Sequence, residues 1–202
     1  MVKKESAEEK ILAAARRVFR QKGMGGSRMQ EIAEEAGINK ALLHYYFRSK
    51  EKLFLAVFRE SFELLVPRLN ALLQADLPLF DKIRELVGRY SEFLAQHPYL
   101  PAFIIYEMNA DTQRFVAELQ ASGCLPAPQP FLKQVETSVQ KGEICPVEPA
   151  QLLINIIALC VFPFAVMPML QAVELATSST VKEMLDKRQT EVAEFIINAI
   201  RP

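Results

Sequence analysis

Side chains that could contact a polyanion cluster between positions 39 and 50 of the 202-residue chain. Leu43 and Phe47 stand four residues apart, so on a helix they share one face, which we expect to be buried. The remaining side chains combine hydrogen-bond donors for phosphates or base edges with apolar groups that can touch a thymine methyl. These exposed candidates are Lys40, Ala41, Leu42, His44 and Tyr45.

Further candidates flank this segment on both sides. Ser49 is a predicted N-cap, which places Lys50 in the first turn of the following helix. A helix N-terminus with a lysine beside it is suited to binding phosphate. Ser27, Arg28 and Gln30 lie at the predicted start of the preceding helix, and we expect them to reach the same backbone or a base.

The first helix that must position these residues is predicted from apolar spacing. Apolar residues between positions 11 and 19 recur at intervals of three and four, which is typical of one helix face. Ser6 and Glu9 form a capping box at its start. The glycines from Gly23 onward are predicted to end this helix.

Two shorter helices are predicted next. Ser27 with Gln30 suggests a second capping box, for a helix that ends before Gly37. Asn39 is the predicted N-cap of a third helix over residues 40–47, with Tyr46 and Phe47 expected in the core. Three helices in about 50 residues, the last two joined by a tight turn, follow the helix-turn-helix plan, in which the second helix enters the major groove of DNA.

Residues 10–53 resemble the DNA-binding domain of the tetracycline-repressor (TetR) family of bacterial regulators. The resemblance rests on the helix ending in Phe19 and Gly23, on Ile32-Ala33-x-x-Ala36-Gly37, and on Leu43-x-x-Tyr46-Phe47-x-x-Lys50. It implies an all-α protein with an N-terminal helix-turn-helix domain and a helical ligand-binding and dimerisation domain. We place these domains at residues 1–48 and 49–202, with the helix from Ser49 linking them.

The third helix departs from the usual family pattern. Relatives commonly read Lys-Gly-Thr-Leu-Tyr, whereas this chain has Lys40-Ala41-Leu42-Leu43-His44. Leu42 replaces a hydroxyl, and His44 a tyrosine, that often contact phosphate in such relatives. The fold is unaffected, but the operator sequence cannot be inferred from the family.

Charge is distributed unevenly along a chain whose formal net charge is zero. Residues 1–60 carry 13 basic and 8 acidic side chains, and the rest carries 11 and 16. A positive field at one end is expected where that end meets a polyanion. A uniformly basic nucleic-acid coat protein is excluded.

The remainder is also predicted to be helical. The helix from Ser49 is expected to run to about Val66, where Pro67 bends the chain. The further helices are predicted at 80–96, 99–109, 112–121, 130–141, from Glu148-Pro149 onward, and at 179–200.

Aromatic and sulfur side chains crowd residues 90–170, and such side chains line small-molecule pockets as well as ordinary cores. The resemblance implies a cavity for an apolar or amphipathic effector here. Glu107 is our candidate for a polar anchor, with a surface glutamate as the alternative. The ligand-binding candidates are Tyr90, Phe93, Phe103, Tyr106, Glu107, Phe131, Cys160 and Phe164.

A homodimer is predicted because two helix-turn-helix units that read a palindromic double-stranded operator need a two-fold axis. Family members pack two long apolar helices into a four-helix interface. The corresponding residues here are Leu152, Leu153, Ile156, Ile157, Val192, Phe195, Ile196 and Ala199.

Residues 152–170 leave a second interpretation open. They contain one polar residue, Asn155, and are nearly long enough to span a bilayer, although Pro163 and Pro168 interrupt them. The alternative function is therefore a membrane-associated helical interaction protein.

Catalytic chemistry finds little support. The chain has two histidines, His44 and His97, and no metal-binding pair, nucleophile elbow or phosphate loop. We predict no enzyme activity, no cofactor and no metal. Three cysteines without a C-x-x-C motif fit a reducing cytoplasm.

The function predicted is a ligand-responsive transcriptional repressor, with an activating or ligand-independent regulator as the alternative within this class.

Overall fold

The computed structural model describes residues 6–123, 125–173 and 181–202, without the side chains of Phe103, Ala110, Pro168 and Lys182. Within these ranges the regular structure is entirely helical, which confirms the predicted all-α class. The helices are α1 (Ala7–Gly26), α2 (Met29–Glu35), α3 (Lys40–Tyr46), α4 (Lys50–Gln74), α5 (Leu79–Gln96), α6 (Leu100–Ala121), α7 (Gln129–Gln140), α8 (Pro149–Ala165), α9 (Met167–Ala172) and α10 (Val181–Ile200).

The chain forms two compact units, Met1–Leu64 and Leu65–Pro202. The first unit extends beyond residue 48, where we placed the domain boundary, because it includes the first part of α4. Phe54 of α4 shows the reason: its ring lies 4.5 Å from that of Phe19 on α1 in an edge-to-face arrangement, and both are fully buried. The first turns of α4 therefore complete the core of the N-terminal unit.

The start of α1 is as predicted. Ser6 Oγ accepts from the backbone N–H of Glu9, and the Glu9 carboxylate accepts from the N–H of Ser6. The predicted box of Ser27 and Gln30 is wrong. Helix α2 begins one residue later, and the Glu31 carboxylate accepts from the Arg28 N–H instead.

Two backbone devices set the turn before α3. The N–H of Gly37 donates to Glu34 O, and that of Ile38 donates to Ala33 O, which is the Schellman ending of a helix. Gly37 has φ +67°, a conformation that glycine adopts at little cost. Asn39 Oδ1 then accepts from the Leu42 N–H at 2.8 Å and caps α3 as predicted.

Helix α4 does not end at Val66, as we expected, but continues through Pro67 to Gln74. Proline removes one hydrogen bond from a helix interior. The apolar side chains beyond it offset this loss, since Leu72 and Leu73 are buried in the core of the C-terminal unit.

The C-terminal unit is built around α5, α7, α8 and α10. Their apolar faces form one core, in which Ile83, Phe131, Ile156 and Ile197 are fully buried. The predicted start of α8 is confirmed: Glu148 accepts from the backbone N–H groups of its first turn, and Pro149 follows at the first helical position.

Helix α6 consists of two helical segments that meet at Asp111. This residue has φ −161° and ψ 88°, and its carboxylate accepts from the Arg114 N–H at 3.0 Å, so it caps the second segment. The sequence predicted two such segments, at 99–109 and 112–121.

The apolar run 152–170 is divided between α8 and α9, with Val166 between them. Across the described residues, no helix has both the length and the hydropathy required to cross a bilayer.

Candidate nucleic-acid interface and ligand cavities

Helix α3 is held by a single buried side chain, Leu43, which is fully enclosed in the core of the N-terminal unit. Phe47 follows it on the same side and is also buried. The structure exposes Lys40, Ala41, His44 and Tyr45 together and leaves Leu42 half-buried. These are the five residues that the sequence predicted to be presented for contact.

Two aromatic rings stand next to each other at the end of α3. Tyr45 is 79% exposed, and its ring centroid lies 5.5 Å from that of Tyr46 at a near-perpendicular angle. The expectation that Tyr46 belongs to the core is wrong, because this side chain is 40% exposed. Three polar rings, those of His44, Tyr45 and Tyr46, therefore reach solvent from one short helix.

Ser27 and Lys50 occupy a different environment. Ser27 is buried, and its hydroxyl donates to Met24 O at 2.9 Å. The Lys50 ammonium donates to Ser27 O at 3.1 Å and is half-buried. The Ser27 hydroxyl is thus used within the fold, whereas the Lys50 ammonium has two further hydrogens available.

Arg28 and Gln30 are exposed at the start of α2. Gln30 Nε2 donates to the Glu34 carboxylate at 2.8 Å. The Arg28 guanidinium forms no ion pair among the described residues, although its charge acts on the nearby Glu31 carboxylate, and it remains accessible to an anion.

Two of the three acidic residues of α2 are paired with basic residues of α1. Arg17 pairs with Glu35 at 2.6 Å and Lys22 with Glu31 at 3.0 Å. The hydrogen bond from Lys22 is the main reason why the pKa of Glu31 lies below its ordinary value. These pairs reduce the repulsion that the α2 carboxylates would exert on a polyanion.

The predicted ligand-binding residues are not gathered around one cavity. Phe131, Cys160 and Phe164 are packed in the core of the C-terminal unit, and burial raises the pKa of the Cys160 thiol. Tyr90 and Phe93 are half-buried at its edge, and Tyr106 is exposed. The side chain of Phe103 lies outside the described residues.

Glu107 is buried rather than at the surface. Its carboxylate pairs with Arg114 at 2.9 Å, across the break in α6 at Asp111. The pair compensates the burial of the charge, so Glu107 is satisfied within the fold.

Cavities lie elsewhere in the C-terminal unit. One of about 400 Å³, between α4 and α5, is lined by Phe93 together with Arg68 and Arg89. A larger one, of about 830 Å³, lies between the end of α4, the start of α5, and α7. Lys82 lines it and is 3% exposed.

Sequence reasoning missed the larger cavity, although one signal was available. Lys82 lies three residues after Leu79 and four before Leu86, on the apolar face of α5. A lysine at a core position is rare unless its ammonium has an ion-pair or hydrogen-bond partner, which can be a ligand.

The predicted dimer residues divide into two sets. Leu152, Ile156, Val192 and Ile196 point into the core of their own unit. Ile157, Phe195 and Ala199 are exposed, and Leu153 is half-buried. Exposed Phe162 and Phe195 border a groove of about 590 Å³ between α8 and α10.

Comparison with known proteins identifies relatives. Residues 11–57 match the profile described as bacterial regulatory proteins, tetR family. The HTH-type transcriptional regulator RutR of Escherichia coli K12 is 32% identical over 201 residues, covering 98% of this chain and 92% of RutR. The HTH-type transcriptional repressor NicS of Pseudomonas putida is 34% identical over 95 residues, 46% of this chain and 44% of NicS.

A solved structure shares the fold over nearly the whole length. FadR from Bacillus subtilis, in complex with stearoyl-CoA, superimposes with a TM-score of 0.62 at 16% identity. The match covers 93% of this chain and 96% of FadR.

Proposed function

Because the chain belongs to the TetR family of bacterial transcriptional regulators, which are not enzymes, we propose that it is a repressor that binds a palindromic operator as a homodimer. A small amphipathic effector releases it from the DNA. The observation that carries the proposal is the surface of α3, which presents Lys40, His44 and Tyr45 from a helix anchored by buried Leu43.

Each exposed group of α3 has a role that its chemistry suits. Lys40 at the N-terminus of the helix donates to guanine or to phosphate. Ala41 and the exposed part of Leu42 contact thymine methyls. His44 and Tyr45 donate to phosphates, as do Arg28 and Lys50 from the flanking helices, and these contacts fix the position of α3 in the groove.

The dimer uses the exposed faces of α8 and α10. Ile154, Ile157, Phe162 and Phe195 are each at least 42% exposed there, an arrangement that would leave a large apolar surface in contact with water in a monomer. Packing this surface against its two-fold copy gives the four-helix interface expected for the family and brings two copies of α3 to one operator.

The effector class is supported by the FadR neighbour, whose bound stearoyl-CoA joins an apolar chain to an anionic group. Helix α4 contributes residues to both compact units and is the covalent route for coupling. A ligand that favours one arrangement of the dimer shifts the population away from the DNA-binding form. A coupling of about 1–3 kcal/mol weakens operator binding roughly 5–150-fold.

The repressor assignment draws on NicS, a similar protein named as a repressor. Because a regulator of bacterial genes acts where the DNA is, we propose a cytoplasmic location.

The test is fluorescence anisotropy with the DNA upstream of the protein's own gene and a scrambled duplex, at two salt concentrations. We expect tight, selective binding with two subunits per site. Lys40→Ala should reduce selectivity between the duplexes by about 1–3 kcal/mol, and exposed Lys187→Ala on α10 is the matched control. Equal, weak and salt-sensitive binding to all duplexes, with no operator found among other genomic fragments, would overturn the proposal.

A further inference from the structure

The cavity of about 830 Å³ contains a buried cation, Lys82, that forms no ion pair at hydrogen-bonding distance with any described residue, although the charge of Asp76 on the same wall acts on it. Lys82 Nζ donates to Leu73 O, at the end of α4, at 3.2 Å. No carboxylate of the described residues lies within ion-pair distance, and no second acceptor is present among them. An ammonium has three N–H groups, so two of them are left without a partner on a side chain that is only 3% exposed.

This arrangement destabilises the free protein, and a bound anion would relieve that cost. Burying a charge without a partner costs free energy, and burial accordingly lowers the pKa of Lys82. The α5 N-terminus lies on the same cavity and has no side-chain cap, and its positive end adds to the potential felt by an anion.

The other charges of the cavity wall are largely paired with one another. Asp81 pairs with Arg84 at 3.0 Å, and Glu143 accepts from Ser138 at 2.9 Å. Lys141 pairs with Glu143 at 3.8 Å, and exposed Asp76 acts on Lys82 from a longer distance. Lys133, on α7, is exposed and has no carboxylate partner among the described residues. The described wall therefore carries four basic and three acidic side chains, a positive excess of one charge.

A second polar group of the wall is also unsatisfied. Gln134 Nε2 donates to Leu77 O at 2.8 Å, whereas its buried Oε1 accepts from no donor of the described residues; this oxygen suits a donor group and does not itself favour an anion. The rest of the lining is apolar and includes Leu79, Phe80 and Ile144. The volume falls within the range of about 300–1,000 Å³ that is typical of small-molecule sites.

We propose that this cavity is a binding site for a small organic carboxylate, whose carboxylate group is held by Lys82 and whose apolar body lies against Leu79, Phe80 and Ile144. Lys133 at the rim attracts the anion. The site belongs to the C-terminal unit alone, and it rests on the proposed function only in so far as its ligand acts as the effector.

The absence of tryptophan allows a direct test in the full chain, because the protein contributes little emission at the wavelengths of a naphthalene ring. The probe is 2-naphthoate, followed by its own fluorescence anisotropy, with uncharged 2-naphthamide as its isostere. We expect saturable binding of the naphthoate and binding of the amide weaker by about tenfold or more, since the amide lacks the charge-assisted hydrogen bond.

Substitutions locate the site. Lys82→Met should weaken naphthoate binding as strongly as the change to the amide, and Lys82→Arg should retain most of it. Because Lys82 also binds Leu73 O, the Met variant could fail to fold, and the exposed rim variant Lys133→Glu then decides. It should weaken binding several-fold at low salt, whereas the matched variant Lys187→Glu should not.

No saturable binding to the folded protein, equal affinity for acid and amide, or equal effects of Lys133→Glu and Lys187→Glu would each overturn the proposal. No DNA is present in this experiment, so its failure leaves the operator-binding function untouched. Failure of operator binding, in turn, would leave the carboxylate site standing.

Discussion

The ammonium of Lys50 donates to the backbone oxygen of Ser27 at 3.1 Å, across 23 residues of sequence. This bond joins the N-terminus of α4 to the segment between α1 and α2. The bond helps to stabilise the N-terminal unit, and the ammonium keeps two further hydrogens that can be donated to another acceptor. A structural and a phosphate-binding role for Lys50 are therefore compatible, and they can be separated by experiment.

Lys50→Met should lower the affinity for every duplex and reduce the salt dependence of binding by about one unit of slope, as expected when one phosphate contact is lost. The melting temperature should fall slightly, because the bond to Ser27 is lost as well. Anisotropy titrations at several salt concentrations measure the slope. Lys52→Met, at an exposed neighbouring position, is the control. A lower melting temperature with an unchanged slope would assign Lys50 a structural role alone.

Asn39→Ala should weaken operator binding, although Asn39 is not one of the residues proposed to contact DNA. Removing the Asn39 cap from the Leu42 N–H costs about 1 kcal/mol, and α3 is only seven residues long, so its population of helix falls. Asn39→Asp keeps the acceptor and should restore the melting temperature. Thermal unfolding and DNA titration are compared for both variants; equal stability of Asn39→Ala and wild type would contradict this account.

Glu60→Gln should stabilise the N-terminal unit at neutral pH. Burial raises the pKa of Glu60, and its buried Oε2 atom makes no hydrogen bond within the part of the chain that the structure describes, although Arg16 lies 3.5 Å away. A pKa that is higher in the folded than in the unfolded chain means that the ionised form opposes folding near neutrality. This cost disappears as the pH falls through the folded pKa.

The advantage of Glu60→Gln over wild type, measured as the difference in melting temperature, should therefore shrink as the pH is lowered from neutrality to the ordinary glutamate pKa of 4.5. Glu34→Gln removes the same charge from an exposed position that does not act on Glu60 and serves as the control. A difference that is constant with pH, or a destabilised variant, would show that the attraction of Arg16 outweighs desolvation.

Phe195→Lys should convert the dimer into a monomer. The side chain is 67% exposed in one protomer, so the substitution should change the stability of the protomer little. At the two-fold interface, however, the lysine would face the same lysine of the partner across an apolar surface, which opposes association. Sedimentation velocity at micromolar concentration measures the outcome. Tyr106→Lys, at a 57% exposed aromatic of α6, is the control and should remain dimeric. If Phe195→Lys sediments as wild type does, the interface lies elsewhere.

The N-terminal helices could be predicted closely because local interactions fix their ends. Ser6 with Glu9, Gly37 and Asn39 each satisfy backbone groups within a few residues, and such interactions leave a signature in the sequence. Prediction failed at α2, whose N-cap is Arg28, so that Ser27 lies one residue outside the capping position and its hydroxyl donates back to Met24 O.

The C-terminal cavities could not be predicted, since an aromatic side chain has the same spacing whether it fills a core or lines a pocket. Phe131 is fully buried and Tyr106 is mostly exposed, yet both stood equal as candidates. Lys82 was overlooked because a charged residue is usually taken for a surface residue. Its burial is decided by the packing of α4 and α7 around α5, which the spacing of residues within α5 does not reveal.

The anchoring of α3 by Leu43 alone separates the residues that hold the helix from those that face outward. Positions 40, 41, 44 and 45 are exposed and make no side-chain hydrogen bond or ion pair within the described part of the chain. Substitutions at these four positions should therefore change folding stability little, whereas substitutions of Gly37, Asn39 or Leu43 should destabilise the unit. After a gene duplication, the second copy could acquire a new set of operators through changes at these positions alone. A library randomised at the same four codons would select such variants in the laboratory.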